Sequence, residues 1–268
     1  MERKNISSGK SQEQRIRYSD DLIWGIHPVL EMLQNEPDRV IELFLQKEKH
    51  GRTRQEIIDS ARQAHIKYTF VDRLKIIGNQ DITINHQGVV ARTTPIALLP
   101  FDELLSFFER SCANNEIPKV VACDTIQDPH NLGAIIRSAH AAGVNHLLMS
   151  RDRSAPLGGT AAKASAGAVS RVRISQVTNM AEALKKLKEA GAWIFGAVID
   201  DAAQSIYQTD FNLPTCLVVG NEGSGIRPLV KRHCDVLVSI PMAGEIDSLN
   251  SSVAAAVILF EMHRQSIA

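Results

Sequence analysis

From residue 119 onward, short apolar runs alternate with helix-type segments, and this alternation constrains the fold more than any other feature of the chain. The runs at 119–123 (KVVAC), 144–149, 169–174, 193–198, 216–219 and 236–240 read as strands. Between them, 132–142, 158–168, 180–190 and 227–233 read as helices. A last helix at 249–264 has Val253, Val257, Phe260 and Met262 available to pack. Strands separated by helices are joined by crossovers, so the expected fold class is α/β, with a parallel sheet and helices on both faces. Ligands of such sheets bind beyond the carboxyl ends of the strands.

The front half is organised differently. Residues 1–19 are polar and carry Arg3, Lys4, Lys10, Arg15 and Arg17 against Glu2 and Glu13. They read as a flexible basic tail, either a solvated extension or a phosphate contact. Order is expected from Leu22. A lead-in and helix over IWGIHPVLEML is followed by a strand at 40–45, a helix at 52–64 with Ile57, Ile58 and Ala61 on one face, and strands at 67–71 and 88–92. The expected domains are therefore a small α/β unit at 20–96, a linker at 97–115 that includes a helix at 101–112, and a larger domain at 116–268.

Composition narrows the function. The 30 Lys plus Arg balance the 30 Asp plus Glu, which excludes a wholly electrostatic nucleic-acid binder but not a local basic groove. Aromatic residues are 5% of the chain, too few for broad base-stacking platforms. The four cysteines (Cys112, Cys123, Cys216, Cys234) have no CxxC spacing, which favours reduced thiols in a reducing compartment. Apolar runs reach only eight residues, against roughly 20 for a membrane span, and the first 20 residues lack the apolar core of a secretory signal. A cytoplasmic protein with no membrane association is expected. HExxH, paired CxxC, EF-hand and GxSxG patterns are absent, so no metal is expected.

Three segments can carry chemistry. In DTIQDPHNLGAIIR (124–137), Asp128-Pro129 forces a turn and Gly133 permits close backbone approach. Asn131 is expected in the loop, and Arg137 interrupts an apolar helix either as a surface residue or as a guanidinium that grips a phosphate. In VGNEGSGIRP (219–228), GxxGxG is not the GxGxxG dinucleotide fingerprint, and Glu222 would repel a pyrophosphate; a neutral or cationic ligand fits better. In the third, Ser248, Asn250, Ser251 and Ser252 crowd a helix start. One of them can cap the helix, and the surplus suggests a site. His130 neighbours the first segment. Arg151, Arg153, Lys163, Arg171 and Arg173 surround only Asp152, as an RNA-facing patch or as solvated surface.

DPHNLGAIIRSAHAAGV, LVVGNEGSGIRPLVKRHCDVLVSIPM and SLNSSVAAAVILFE together resemble the three motifs of the SpoU/TrmH class of SPOUT RNA ribose 2′-O-methyltransferases. WGIHPVLEML and HQGVVAR resemble the L30e-like substrate-binding domain of a bacterial subgroup that methylates a guanosine of 23S ribosomal RNA. The resemblance implies a trefoil-knotted C-terminal methyltransferase domain behind a smaller N-terminal RNA-binding domain. It also implies bound S-adenosylmethionine and a homodimer whose sites combine both subunits. By motif match, Asn131, Arg137, Glu222, Ser248 and Asn250 take the catalytic positions. Gly196, Val219, Gly220, Ile240, Met242 and Leu249 line the cofactor pocket. Ser251 stands where that subgroup usually has valine. Two alternatives remain: the same chemistry on transfer RNA or another RNA, and a non-catalytic RNA-binding ribosome-assembly factor.

Overall fold

The computed structural model describes residues 13–17, 19, 21–47, 51–77, 85–200, 202–244 and 248–267. Two compact units divide the chain, Met1–Pro95 and Ile96–Ala268.

The first unit comprises β1 (Glu13–Arg17), β2 (Leu22–Trp24), α1 (Ile26–Asn35), β3 (Val40–Gln46), α2 (Arg52–Gln63), β4 (Lys67–Val71), β5 (Arg73–Ile77) and β6 (Val89–Thr93). A four-stranded mixed sheet runs in the order β2-β6-β3-β4, with β3 parallel to β4 and antiparallel to β6. Ile57, Ile58 and Ala61 of α2 are buried, as their spacing requires. Gly25, at φ 98, precedes α1 without a capping side chain; Gln87 Oε1 accepts the Ile26 amide at 2.9 Å and satisfies that helix terminus instead. The flexible tail expected over 1–19 does not extend through 13–17. These residues pair in parallel with β5 and bury Ile16, an apolar residue that a charge count overlooks. Residues 1–12 lie outside the described residues.

The second unit comprises α3 (Phe101–Ala113), β7 (Lys119–Asp124), α4 (Pro129–Ala141), β8 (His146–Ser150), α5 (Gly159–Ala164), β9 (Arg173–Val177), α6 (Met180–Glu189), β10 (Trp193–Ala197), β11 (Gln204–Ser205), β12 (Thr215–Gly220), α7 (Pro228–Lys231), β13 (Val236–Ser239) and α8 (Ser251–Ile267). Its seven-stranded sheet runs β11-β13-β10-β12-β7-β8-β9, with every pairing parallel. The segment expected as a linker holds α3, whose Leu104 and Phe108 are fully buried with Leu184 and Leu187 of α6 on alternate residues of β7, β12 and β10. Helices α4 and α8 pack on one another, and α8 also touches β12. The strand expected at 169–174 starts later. Ala166 and Gly167 take left-handed φ of 51 and 86, which ends α5, and 168–170 form a short 3-10 turn.

This strand order locates the site. The chain leaves β7 toward β8 and β9, then returns to lay β10 and β12 on the other side of β7. The loops after β7 and β12 therefore leave adjacent strand ends in opposite directions, which is where open α/β sheets form a ligand crevice. No described helix is long and apolar enough to cross a membrane.

Candidate functional site

Two loops and one helix start meet at this crevice. After Asp124 the chain turns through Thr125, at φ 58, and enters α4 with Asp128 as its cap, the carboxylate accepting the His130 amide at 2.8 Å. Asn131 is thus the third residue of the helix, not a loop residue, and it is buried. Its Nδ2 donates to Glu222 Oε1 at 2.9 Å. Asn250 Nδ2 donates to Asn131 Oδ1 at 3.1 Å and also to Glu222 Oε1. Asn250 Oδ1 accepts the amides of Ser252 (2.9 Å) and Val253 (3.3 Å), so this residue both caps α8 and ties the helix to the site. The cap anticipated among four polar residues is therefore Asn250.

Arg137 stands apart from the triad. Six residues at 3.6 per turn place it about 120° around α4 from Asn131, and its side chain is exposed. Among the described residues it has no hydrogen-bond or ion-pair partner, and Glu222 engages Asn131 and Asn250 instead. Ser248 and Leu249 are exposed just before α8, and Ser248 makes no hydrogen bond among the described residues. His130 is exposed; the structure gives only its backbone a role, in the cap.

The glycines owe their identity to packing. A Cβ on Gly133 would lie 2.6 Å from Ala161 O, so α4 and α5 touch backbone to backbone there. A Cβ on Gly220 would lie 2.2 Å from Gly225 C and 2.3 Å from Ile226 N, so this residue lets its own loop fold back on the strand end. A Cβ on Gly196 would lie 2.8 Å from Cys234 Sγ. Val219 is buried in β12, whereas Met242 and Leu249 expose apolar side chains on the segment after β13. Ile240 is partly buried at the end of that strand.

This set has the chemistry to hold S-adenosylmethionine. Apolar side chains suit the purine and the methionine chain, and a carboxylate nearby suits a sulfonium. No group of residues among those described could hold a metal ion.

Sequence reasoning missed a buried ion pair beneath the loops. The Asp124 carboxylate is fully buried and receives the Arg227 amide at 2.9 Å, Nε at 2.9 Å and Nη2 at 2.6 Å. An aspartate ending an apolar strand was the available signal. The basic cluster is divided by the parallel topology. Arg151 and Arg153 follow β8 at the carboxyl end, while Arg171 and Arg173 sit at the amino end of β9, where Arg173 lines a separate cleft with Arg110, Phe107 and His146. Burial pushes the Cys123 and Cys234 thiols up to about 12, and Cys216 is raised as well, so these thiols are inert.

The fold is that of the SpoU methyltransferases. The SpoU methyltransferase AviRb of Streptomyces viridochromogenes, solved in complex with AdoMet, superimposes with a TM-score of 0.70 at 25% identity, covering 92% of this chain and 90% of that one. The SpoU rRNA Methylase family model matches residues 118–260, and a model for RNA 2′-O ribose methyltransferase substrate binding matches 22–98. The chain belongs to the SpoU rRNA methylase family. It is 39% identical to the 23S rRNA (guanosine-2′-O-)-methyltransferase RlmB of Yersinia pestis, over 91% of this chain and 97% of that protein. The protein of that name from Pseudomonas aeruginosa is also 39% identical, over 91% and 96% of the two chains.

Proposed function

We propose that this protein methylates the ribose 2′-hydroxyl of a guanosine in 23S ribosomal RNA, with S-adenosylmethionine as donor, as a cytoplasmic homodimer. The observation that carries the reading is the Asn131–Glu222–Asn250 network at the switch point of the sheet. Likeness to relatives named for this reaction supports it.

The donor supplies a methyl group on a positively charged sulfur, so the protein must position two partners and remove one proton. Gly196, Val219, Gly220, Ile240, Met242 and Leu249 would hold it. Glu222 keeps one oxygen occupied by the two asparagines, which fixes the carboxylate beside the strand ends. Arg137, a guanidinium that holds its protons, is a poor base and a good clamp for the phosphate next to the reacting ribose. Its exposure and its lack of a partner among the described residues suit a guanidinium offered to RNA and to the site of the second subunit. Ser248 would orient the ribose.

The dimer reading rests on α8. Val253, Phe260 and Ile267 recur every seven residues and are 47%, 48% and 72% exposed, an apolar stripe on a helix whose other face is already packed. Val253 and Phe260, two of the residues available to pack, point outward, because Ala255, Ile258, Leu259 and Met262 fill the inward face. The second copy would cover the stripe.

The test is Arg137→Ala. Turnover on 23S RNA falls by at least 100-fold while S-adenosylhomocysteine affinity measured by calorimetry stays within about threefold, as removal of a transition-state contact requires. Equal losses in both would remove the clamp from the mechanism.

A further inference from the structure

Along its exposed stretch, the loop that carries Glu222 is tied to the rest of the unit through the Glu222 carboxylate, which accepts from Asn131 and Asn250. Glu222, Gly223, Ser224 and Gly225 are all exposed, so the backbone that presents this carboxylate is held at its two ends, with Ile226 buried at the second. The start is Gly220, which pairs in register with Asp124, and Asn221, whose Nδ2 donates to Thr125 O at 3.3 Å. Asn221 and Gly225 then close the loop by exchanging backbone hydrogen bonds at 3.1 and 2.8 Å. The far end is Arg227. Its Nε and Nη2 converge on Asp124 Oδ1 and its amide donates to Asp124 Oδ2. Ser150, at the end of β8, donates to the same Oδ1 at 3.4 Å and lies 3.3 Å from Arg227 Nη2. Asp124 thus meets both ends of the loop, through its backbone at Gly220 and its buried carboxylate at Arg227, and the same carboxylate reaches Ser150 at the end of β8.

Bulk stability is a weak reason for such a pair. Taking the Asp124 carboxylate wholly out of water, with the Arg227 side chain 30% exposed, costs about as much as their attraction returns. What the pair does supply is a fixed geometry, because a guanidinium on a carboxylate is directional.

Building on the methyltransferase reading, we infer that Asp124 and Arg227 are positioning residues for methyl transfer: they hold the 221–226 loop closed so that Glu222 meets Asn131 and Asn250. Neither residue has to touch RNA or donor. Their effect passes through Glu222, which separates this role from general stability.

The experiment is a double-mutant cycle on the full-length protein, assayed with S-adenosylmethionine and a 23S RNA fragment well below the melting temperature of every variant. Asp124→Asn lowers kcat by 10-fold or more while KM for RNA stays within about threefold. In a Glu222→Gln background the same substitution lowers kcat by less than threefold, because the loop then has no carboxylate left to place. Arg227→Lys, which keeps the charge but cannot span the same contacts, lies between wild type and Asp124→Asn. If Asp124→Asn does not fold, Arg227→Lys and Ser150→Ala enter the cycle in its place with the same expected sub-additivity. A folded variant with kcat within twofold of wild type overturns the inference, and so do losses that multiply fully with Glu222→Gln. Wild-type protein inactive on every RNA would instead refute the methyltransferase reading.

Discussion

Replacing Gly220 by alanine adds a single methyl group and should disable the loop. The new Cβ would stand 2.2 Å from Gly225 C, 2.3 Å from Ile226 N and 2.4 Å from Gly225 O. Non-bonded carbon contacts settle at about 3.5–4.0 Å, so the overlap exceeds 1 Å on three atoms at once. All three belong to the backbone, and no rotamer change can move them aside. Retreat of Gly225 and Ile226 would break the two Asn221–Gly225 hydrogen bonds, at about 1 kcal/mol each. Overpacking adds about 1–3 kcal/mol. The sum is about 3–5 kcal/mol, or roughly 10 °C of melting temperature for a unit of this size. The neighbouring glycines provide an internal scale. A Cβ on Gly223 meets only Asn221 Oδ1, at 3.7 Å, so Gly223→Ala should be close to neutral. Gly225 has open space but a φ of 64, so Gly225→Ala should cost about 1–2 kcal/mol of backbone strain. Thermal melting and calorimetric titration with S-adenosylhomocysteine should rank the variants Gly223, Gly225, Gly220 in order of increasing damage. A Gly220→Ala protein that melts within about 2 °C of wild type and binds S-adenosylhomocysteine normally would refute the steric argument.

Other substitutions test other parts of the structure. Ser251 is buried at the start of α8, and its hydroxyl has no partner among the described residues; Ser251→Val should stabilise by about 1 kcal/mol, and an unchanged or lower melting temperature would count against an unsatisfied hydroxyl. Phe260→Glu places a charge in the exposed stripe of α8 and should convert a dimer into monomers in light scattering, whereas a monomeric wild type would sink the interface. His146 is buried against Phe107, rings 3.8 Å apart, and burial and then Arg173 hold its pKa down at about 4. The unfolded chain binds this proton below about pH 6.5 and the folded one does not, so stability falls as pH drops from 6.5 toward 4, by on the order of 3 kcal/mol in all. His146→Gln should flatten that limb in urea unfolding, and an unchanged slope would show that another group is responsible. Glu261 is held down to about 2 by hydrogen bonds from Arg264 and Gln265, so its contribution is present above about pH 4.5 and is lost only in stronger acid.

Sequence alone determined the α/β class, because alternating apolar runs and helices admit little besides a parallel sheet. It also located the three segments that meet at the site, and their wording resembled one enzyme family closely enough to name its donor and its kind of substrate. Local patterns misjudged elements that depend on distant partners. β1 exists because β5 lies beside it, and its sequence EQRIR lacks the apolar alternation that marks a strand in isolation. The inward set of α8 could not be told from its outward set, since Val253 and Phe260 are as apolar as Ile258 and Met262. Only the tertiary structure decided which polar residues act together. Glu222 lies 91 residues from Asn131 and 28 from Asn250, and the order of β7 and β12 in the sheet is what makes them neighbours. The helical turn then sends Arg137 away from them, although it lies only six positions beyond Asn131. Asp124 ends an apolar strand and so stood out in the sequence, but its pairing with Arg227 did not, because that partner is brought from 103 positions along the chain by the fold.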